Sequence, residues 1–117
     1  AKTGFDVYGY DVNRNVIDIL KSGHIHIVEP DLQEVFKKVL DDGKLTPTEK
    51  LEKSDVFIIS VPTPFKKESD KKIADLKYVE NATREVAKIL EKGNLVILES
   101  TVPPKTTKLV YLKGILW

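Results

Sequence analysis

The sequence predicts an α/β domain with a mainly parallel sheet, and three observations carry that prediction. Two short apolar runs, Val56 to Val61 and Leu95 to Leu98, contain β-branched residues and are bounded by polar punctuation. Runs this short and this apolar read as buried strands of a parallel sheet, covered on both faces by helices. Segments of helical spacing alternate with strand-like ones along the chain, which is the βαβ signature. Finally, each run ends in a Pro-containing turn that carries a threonine: VPTP with Thr63, and STVPP with Thr101. In open α/β sheets, ligands sit outside the carboxyl ends of the strands, which places Pro62, Thr63 and Pro64 where a ligand would lie.

The elements follow in order. Ala1 to Gly4 reads as the last turn of a helix, with Gly4 ending it. Phe5 to Tyr10 alternates and carries aromatics and Val, so a strand is expected. Asn13 or Asp11 can cap the next helix, about Arg14 to Ser22, whose inner face is Val16, Ile17 and Leu20 and which Gly23 stops. His24 to Pro30 is a connector. Asp31 is expected to cap a second helix, about Leu32 to Leu40, with Leu32, Val35, Phe36, Val39 and Leu40 as its apolar stripe. Leu45-Thr46 reads as a very short edge strand, and Pro47-Thr48-Glu49-Lys50 as the start of a short helix reaching Ser54. After the first apolar run, Phe65 to Asp75 is rich in Lys, Glu, Asp and Ser and reads as a mobile solvated loop. Leu76 to Leu90 is the strongest helix, with Val79, Ala82, Thr83, Val86, Ile89 and Leu90 at helical spacing. Lys105-Thr106-Thr107 can open a last helix, and Leu109 to Trp117 is ambiguous between helix and strand.

The totals exclude several functions. At 117 residues the chain is expected to be one domain, residues 1–117. A chain this size buries roughly two thirds of its unfolded surface, enough for a core. Nineteen basic residues against 18 acidic ones leave a net charge of +1. That balance gives no field for nucleic acid or an anionic membrane. No apolar run approaches the ~20 residues of a membrane span, and no signal peptide is visible, so a cytoplasmic location is expected. The absence of Cys rules out disulfides, thiolate metal sites and a Cys nucleophile within this sequence. With no Met, the chain opens on Ala1 as if cut from something longer.

Asp11 is the first candidate for chemistry. An acid at the end of the second strand of a nucleotide fold can accept hydrogen bonds from both ribose hydroxyls of adenosine, and it repels a 2′-phosphate, which selects NAD over NADP. The alternative is that Asp11 merely caps the following helix. Thr63 and Thr101 occupy matching places, each a hydroxyl in a rigid turn able to hold a cofactor's ribose or nicotinamide; each is also an ordinary turn residue when taken alone. His24 and His26 are surface or packing histidines rather than metal ligands, for want of partners. Glu29, Asp31 and Glu99 can act as acids or bases, but nothing in the sequence pairs them, and no metal is expected. Against a dinucleotide site stands the lack of a Gly-rich turn. The six glycines, Gly4, Gly9, Gly23, Gly43, Gly93 and Gly114, form no G-x-G-x-x-G able to cradle a pyrophosphate.

The stretches GYDVN, GHIHIVEPDL, SDVFIISVPTPF, ADLKYVENAT and KGNLVILESTVPP, in this order and spacing, closely resemble the nucleotide-sugar 6-dehydrogenase family. The match runs from Ala1 to about Thr107 and corresponds to only part of that family's NAD-binding domain. The resemblance implies an incomplete Rossmann-like three-layer α/β domain. It also implies an enzyme that oxidises the C6 hydroxyl of a UDP-sugar to a carboxylate, with NAD as oxidant and a Cys-bound intermediate. Carried over residue by residue, the NAD contacts fall on Asp11, Thr63 and Thr101. Members often have a basic residue five places after the acid; Val16 stands there, and Arg14 is the nearest base.

The first strand, its Gly-rich turn, the UDP-sugar domain and the family's catalytic Cys and Lys have no counterpart in this sequence. The expectation is therefore a piece of such an enzyme, inactive alone, binding NAD but meeting UDP-sugar only in the full-length protein. In the strand order 3-2-1-4-5-6, Phe5 to Tyr10 is the second strand and Val56 to Val61 the fourth, so the first would lie between them. Direct pairing of these two strands is the expected way to fill the gap, and dimerisation through an edge, giving a homo-oligomer, is the next. The rival from another class is a non-enzymatic α/β interaction module or a different nucleotide binder.

Overall fold

The structure is a computed structural model that describes residues 1–27, 29–66 and 73–108. Its elements run β1 (Val7–Tyr10), α1 (Arg14–Lys21), α2 (Leu32–Asp41), β2 (Leu45–Thr48), β3 (Val56–Ile59), α3 (Lys77–Ala87) and β4 (Leu95–Leu98). They fall into two compact units, Ala1–Glu52 and Lys53–Trp117. Within each unit a strand, a helical crossover and a second strand parallel to the first follow one another, because no tight turn can join parallel neighbours.

In the first unit β1 pairs with β2, Val7 opposite Leu45 and Tyr10 opposite Thr48. Both α1 and α2 pack on β2. Ile17 is fully buried, and Phe36 and Val39 complete the apolar core, as their helical spacing predicts. The two helices end alike. The Gly23 and His24 amides donate to Leu20 O at 3.0 Å and Ile19 O at 3.3 Å, and the Gly43 and Lys44 amides to Leu40 O at 3.0 Å and Val39 O at 2.9 Å. This double closure needs a left-handed residue, and glycine supplies it without a Cβ clash, at φ +83° for Gly23 and +66° for Gly43. Lys44 then starts the sheet. Its carbonyl accepts the Val7 amide at 2.9 Å, and its Nζ lies 2.7 Å from Asp6 Oδ1.

Four expectations for this unit are corrected. The first residues form a lone turn, Gly4 N–H to Ala1 O at 2.9 Å, and the strand begins at Val7, leaving Phe5 exposed. Asp31 makes no side-chain cap: its backbone is left-handed, φ 60°, whereas a capping residue needs extended backbone to swing its oxygen over the first amides. Gln33 instead secures the connector, donating to Gly23 O at 2.7 Å and accepting the Ile25 amide at 3.1 Å. No helix starts at Pro47, because β2 continues through Thr48. The Thr48 hydroxyl then accepts the Lys50 amide at 3.1 Å and donates to Lys50 O at 2.9 Å, a local closure that competes with helix. Pro47 is tolerated because the ladder takes amides from alternate residues. The Val7-to-Lys44 bond sets the phase that turns the Pro47 nitrogen away from β1.

In the second unit β3 pairs in parallel with β4, Val56 opposite Leu95 and Ile59 opposite Leu98. α3 packs on β3. Val79 is fully buried, Phe57, Ile59, Val86 and Thr83 are buried too, and the Thr83 hydroxyl donates to Val79 O at 2.8 Å. The expectation that these strands are covered on both faces is not met among the described residues. Phe57 and Ile59 face the helix, 6% and 4% exposed, but Val56 and Ile58 point the other way at 47% and 60%. Leu95 and Ile97 lie beside them in register and are also exposed. Of Phe65 to Asp75, expected as a solvated loop, residues 67–72 lie outside the described residues, and the two ends are joined. Phe65 bridges Ala74, and the Lys66 and Asp75 amides donate to Ile73 O at 2.8 Å and Pro64 O at 2.7 Å. Residues 106–108 are helical, as expected after Lys105, while Leu109 to Trp117 lies outside the described residues.

Both strand ladders are parallel, as predicted, and among the described residues they make two two-stranded sheets. Each pair is a neighbouring pair in the 3-2-1-4-5-6 order, third beside second and fifth beside fourth.

Two predictions follow from local geometry. The hydrogen bond from Lys44, and then its charge, hold the Asp6 carboxyl below its ordinary value of 3.8. Because the folded value is the lower one, the contact contributes stability above the unfolded value and loses it as pH falls through the folded value. An NMR titration should place Asp6 below the ordinary carboxylate range in the native chain and within it in Lys44→Ala. Lys105 sits at φ +72°, a region that strains any residue with a Cβ. Lys105→Gly is therefore expected to raise stability by about 0.5–1 kcal/mol in thermal unfolding, the left-handed strain outweighing the entropy that Gly adds to the unfolded chain.

Candidate functional site

Parallel strands send their carboxyl ends to one side of each sheet, and the candidate residues stand just past those ends. In the first unit Asp11 follows the last residue of β1. The two capping candidates divide the work. Asn13 is extended, φ −85° and ψ 103°, and its side chain accepts the Asn15 amide at 3.1 Å, so Asn13 is the cap of α1. Asp11 stands two residues before it and accepts the Asn13 amide on Oδ1 at 2.7 Å. The carboxylate is exposed, and its Oδ2 has no protein partner among the described residues. Arg14, the nearest base, is directed to Glu49, Nε to Oε2 3.7 Å, and Lys21 reaches the other Glu49 oxygen at 3.3 Å.

In the second unit two turns lie side by side, one after β3 and one after β4. The last backbone rung donates from Glu99 N–H to Ile59 O at 2.9 Å. Beyond it, the Ser100 hydroxyl accepts the Val61 amide at 2.8 Å and donates to Val61 O at 2.8 Å. Thr63 is two residues past that junction and half-buried; Thr101 adjoins it and is exposed. The structure therefore brings Thr63 and Thr101 to the carboxyl side of one sheet. Asp11 occupies the equivalent position on the sheet of the first unit. The sequence reading did not single out Ser100, a common residue after a strand; only the course of the ladder shows its role. The remaining candidates gather nothing. His24 Nδ1 lies 3.1 Å from the Ser22 hydroxyl, and no three His, Asp or Glu side chains converge among the described residues.

Residues 1–116 match the model of the UDP-glucose/GDP-mannose dehydrogenase family, NAD binding domain. The chain belongs to this family. Among its relatives, a UDP-N-acetyl-D-mannosamine dehydrogenase of Campylobacter jejuni is 51% identical over 108 residues, which is 92% of this chain and 26% of that protein. The enzyme of the same name from Pyrococcus horikoshii is 45% identical over 111 residues, again 92% of this chain and 26% of the relative. The chain thus spans about a quarter of the length of these family members. Its fold superimposes on the native structure of the UDP-N-acetyl-mannosamine dehydrogenase of Staphylococcus aureus with a TM-score of 0.91 and 43% identity, over 98% of this chain and 28% of that one. A ternary complex of GDP-mannose dehydrogenase from Pseudomonas aeruginosa gives a TM-score of 0.87 at 33% identity, over 97% and 27% of the two chains. Family membership supports the α/β class, the Rossmann-type domain and NAD as its cofactor.

The division of labour between Asp11 and Asn13 has a measurable consequence. Asn13→Ala should destabilise the chain by about 1 kcal/mol and Asn13→Gly by only a few tenths. Asp11→Ala, which leaves the cap in place, should cost less than Asn13→Ala in denaturant unfolding.

Proposed function

We propose that this chain supplies part of the NAD-binding domain of an NAD-dependent dehydrogenase that oxidises UDP-N-acetylmannosamine to its uronate. Both units belong to that one domain in this reading. The observation that carries it is the pair of threonine-bearing turns, clamped side by side beyond two adjacent parallel strands, within a chain that belongs to this family. Two relatives that carry the name UDP-N-acetyl-D-mannosamine dehydrogenase support the sugar assignment.

The residues present fit part of the dinucleotide. Asp11 keeps a carboxylate oxygen without a protein partner among the described residues, which suits the adenosine ribose hydroxyls. Its charge disfavours a 2′-phosphate, and Glu49 draws off Arg14, the cation that would otherwise offset that charge. Thr63 and Thr101 offer hydroxyls for the other half of the cofactor. No glycine-rich turn is present in the sequence to hold the pyrophosphate, so these contacts alone bind weakly. When bound, NAD accepts the hydride. This sequence has no Cys to form a covalent sugar intermediate, and in this reading the chain by itself does not turn over.

Calorimetry tests the binding claim. NAD should give saturable heat and NADP none, with Asp11→Ala weakening NAD by at least about tenfold through lost charge-assisted hydrogen bonds. An absence of heat at millimolar NAD would favour the rival, a non-enzymatic α/β module. Turnover of UDP-N-acetylmannosamine with NAD by the purified chain would refute the claim of inactivity.

A further inference from the structure

In a parallel ladder each strand alternately donates to and accepts from its neighbour, so the rungs beyond a given one can be written down. Leu95 N–H donates to Asp55 O and Glu99 N–H to Ile59 O, both at 2.9 Å. Continued in this phase, Val61 N–H would donate to Glu99 O, and Thr101 N–H to Val61 O. Neither bond forms. The Ser100 hydroxyl takes the place of both, accepting the Val61 amide and donating to the Val61 carbonyl, each at 2.8 Å. One side chain thereby satisfies both polar groups of Val61, and the strands stay locked one step past the last backbone rung.

The substitution frees two groups, the Glu99 carbonyl and the Thr101 amide, and neither has a protein partner among the described residues. Had the ladder continued, the Thr101 N–H would point at β3 and be unavailable to anything else. Pro62 follows directly, a residue without an N–H, which stiffens the turn that carries Thr63. We propose that Ser100 is a positioning residue. It ends the ladder while fixing the spacing of the Thr63 and Thr101 turns, and it releases the Thr101 backbone N–H as a donor to a bound dinucleotide. The ligand class rests on the cofactor reading given above. The clamp itself rests only on the two hydrogen bonds.

The test compares the native chain with Ser100→Ala and Ser100→Thr. By amide hydrogen exchange, Ser100→Ala should speed Val61 by about tenfold or more while Glu99 keeps its protection, which also shows that the sheet is folded. NAD affinity should fall about fivefold or more in the same variant. Ser100→Thr, which keeps the hydroxyl, should restore both. Unchanged exchange at Val61 in Ser100→Ala overturns the clamp. Faster exchange with unchanged NAD affinity, or an affinity that Ser100→Thr fails to rescue, overturns its part in binding. A native chain that gives no NAD signal overturns the cofactor reading, and Val61 exchange then decides the clamp alone.

Discussion

Two parallel strands cannot be joined by a tight turn, and most of this structure follows from that constraint. The chain must leave the end of one strand, cross the layer as helix and return to the start of the next. In the first unit the crossover is α1 and α2, and in the second it is α3. The helices then have to bury a face, and they bury it against the strands they connect, with Ile17 and Val79 fully enclosed. The carboxyl ends of the strands carry no part of this closure. They lead into short turns, and Asp11, Thr63 and Thr101 stand there.

The readable part of this fold was written in local signals. Helical spacing gave α1, α2 and α3 with their buried faces, and the glycines after α1 and α2 stop those helices at left-handed turns. The misreadings have one origin, a long-range contact that local propensity does not know about. Pro47-Thr48-Glu49-Lys50 has the composition of a helix start, yet Leu45 to Thr48 is a strand because β1 lies beside it. Val56 to Ile59 is apolar throughout and so reads as buried on both faces. Only Phe57 and Ile59 face α3, and that alternation is invisible in a run with no polar residue to mark it. Asp31 looked like a cap by residue type, but its left-handed backbone turns the side chain away from that task.

The candidate site was half legible. Two threonines just past two apolar runs point to one edge, and the pairing of β3 with β4 puts both on the carboxyl side of one sheet. The choice between Asp11 and Asn13 could not be made from the sequence, since both are good capping residues. The backbone decides it: the cap goes to Asn13, and Asp11 braces the cap with one oxygen. Ser100 left no trace in residue type or spacing. Its place emerges when the hydrogen bonds expected of a continuing ladder are compared with those present.

Lys44 does three jobs within one residue. Its amide closes the last turn of α2, its carbonyl receives the first amide of β1, and its ammonium faces Asp6. The end of a helix and the start of a sheet are therefore the same few atoms. Fraying of that helix end cannot proceed without also opening the ladder it feeds. The first unit should accordingly come apart as a single cooperative block rather than shedding α2 on its own, even though α2 is short and ends at the surface.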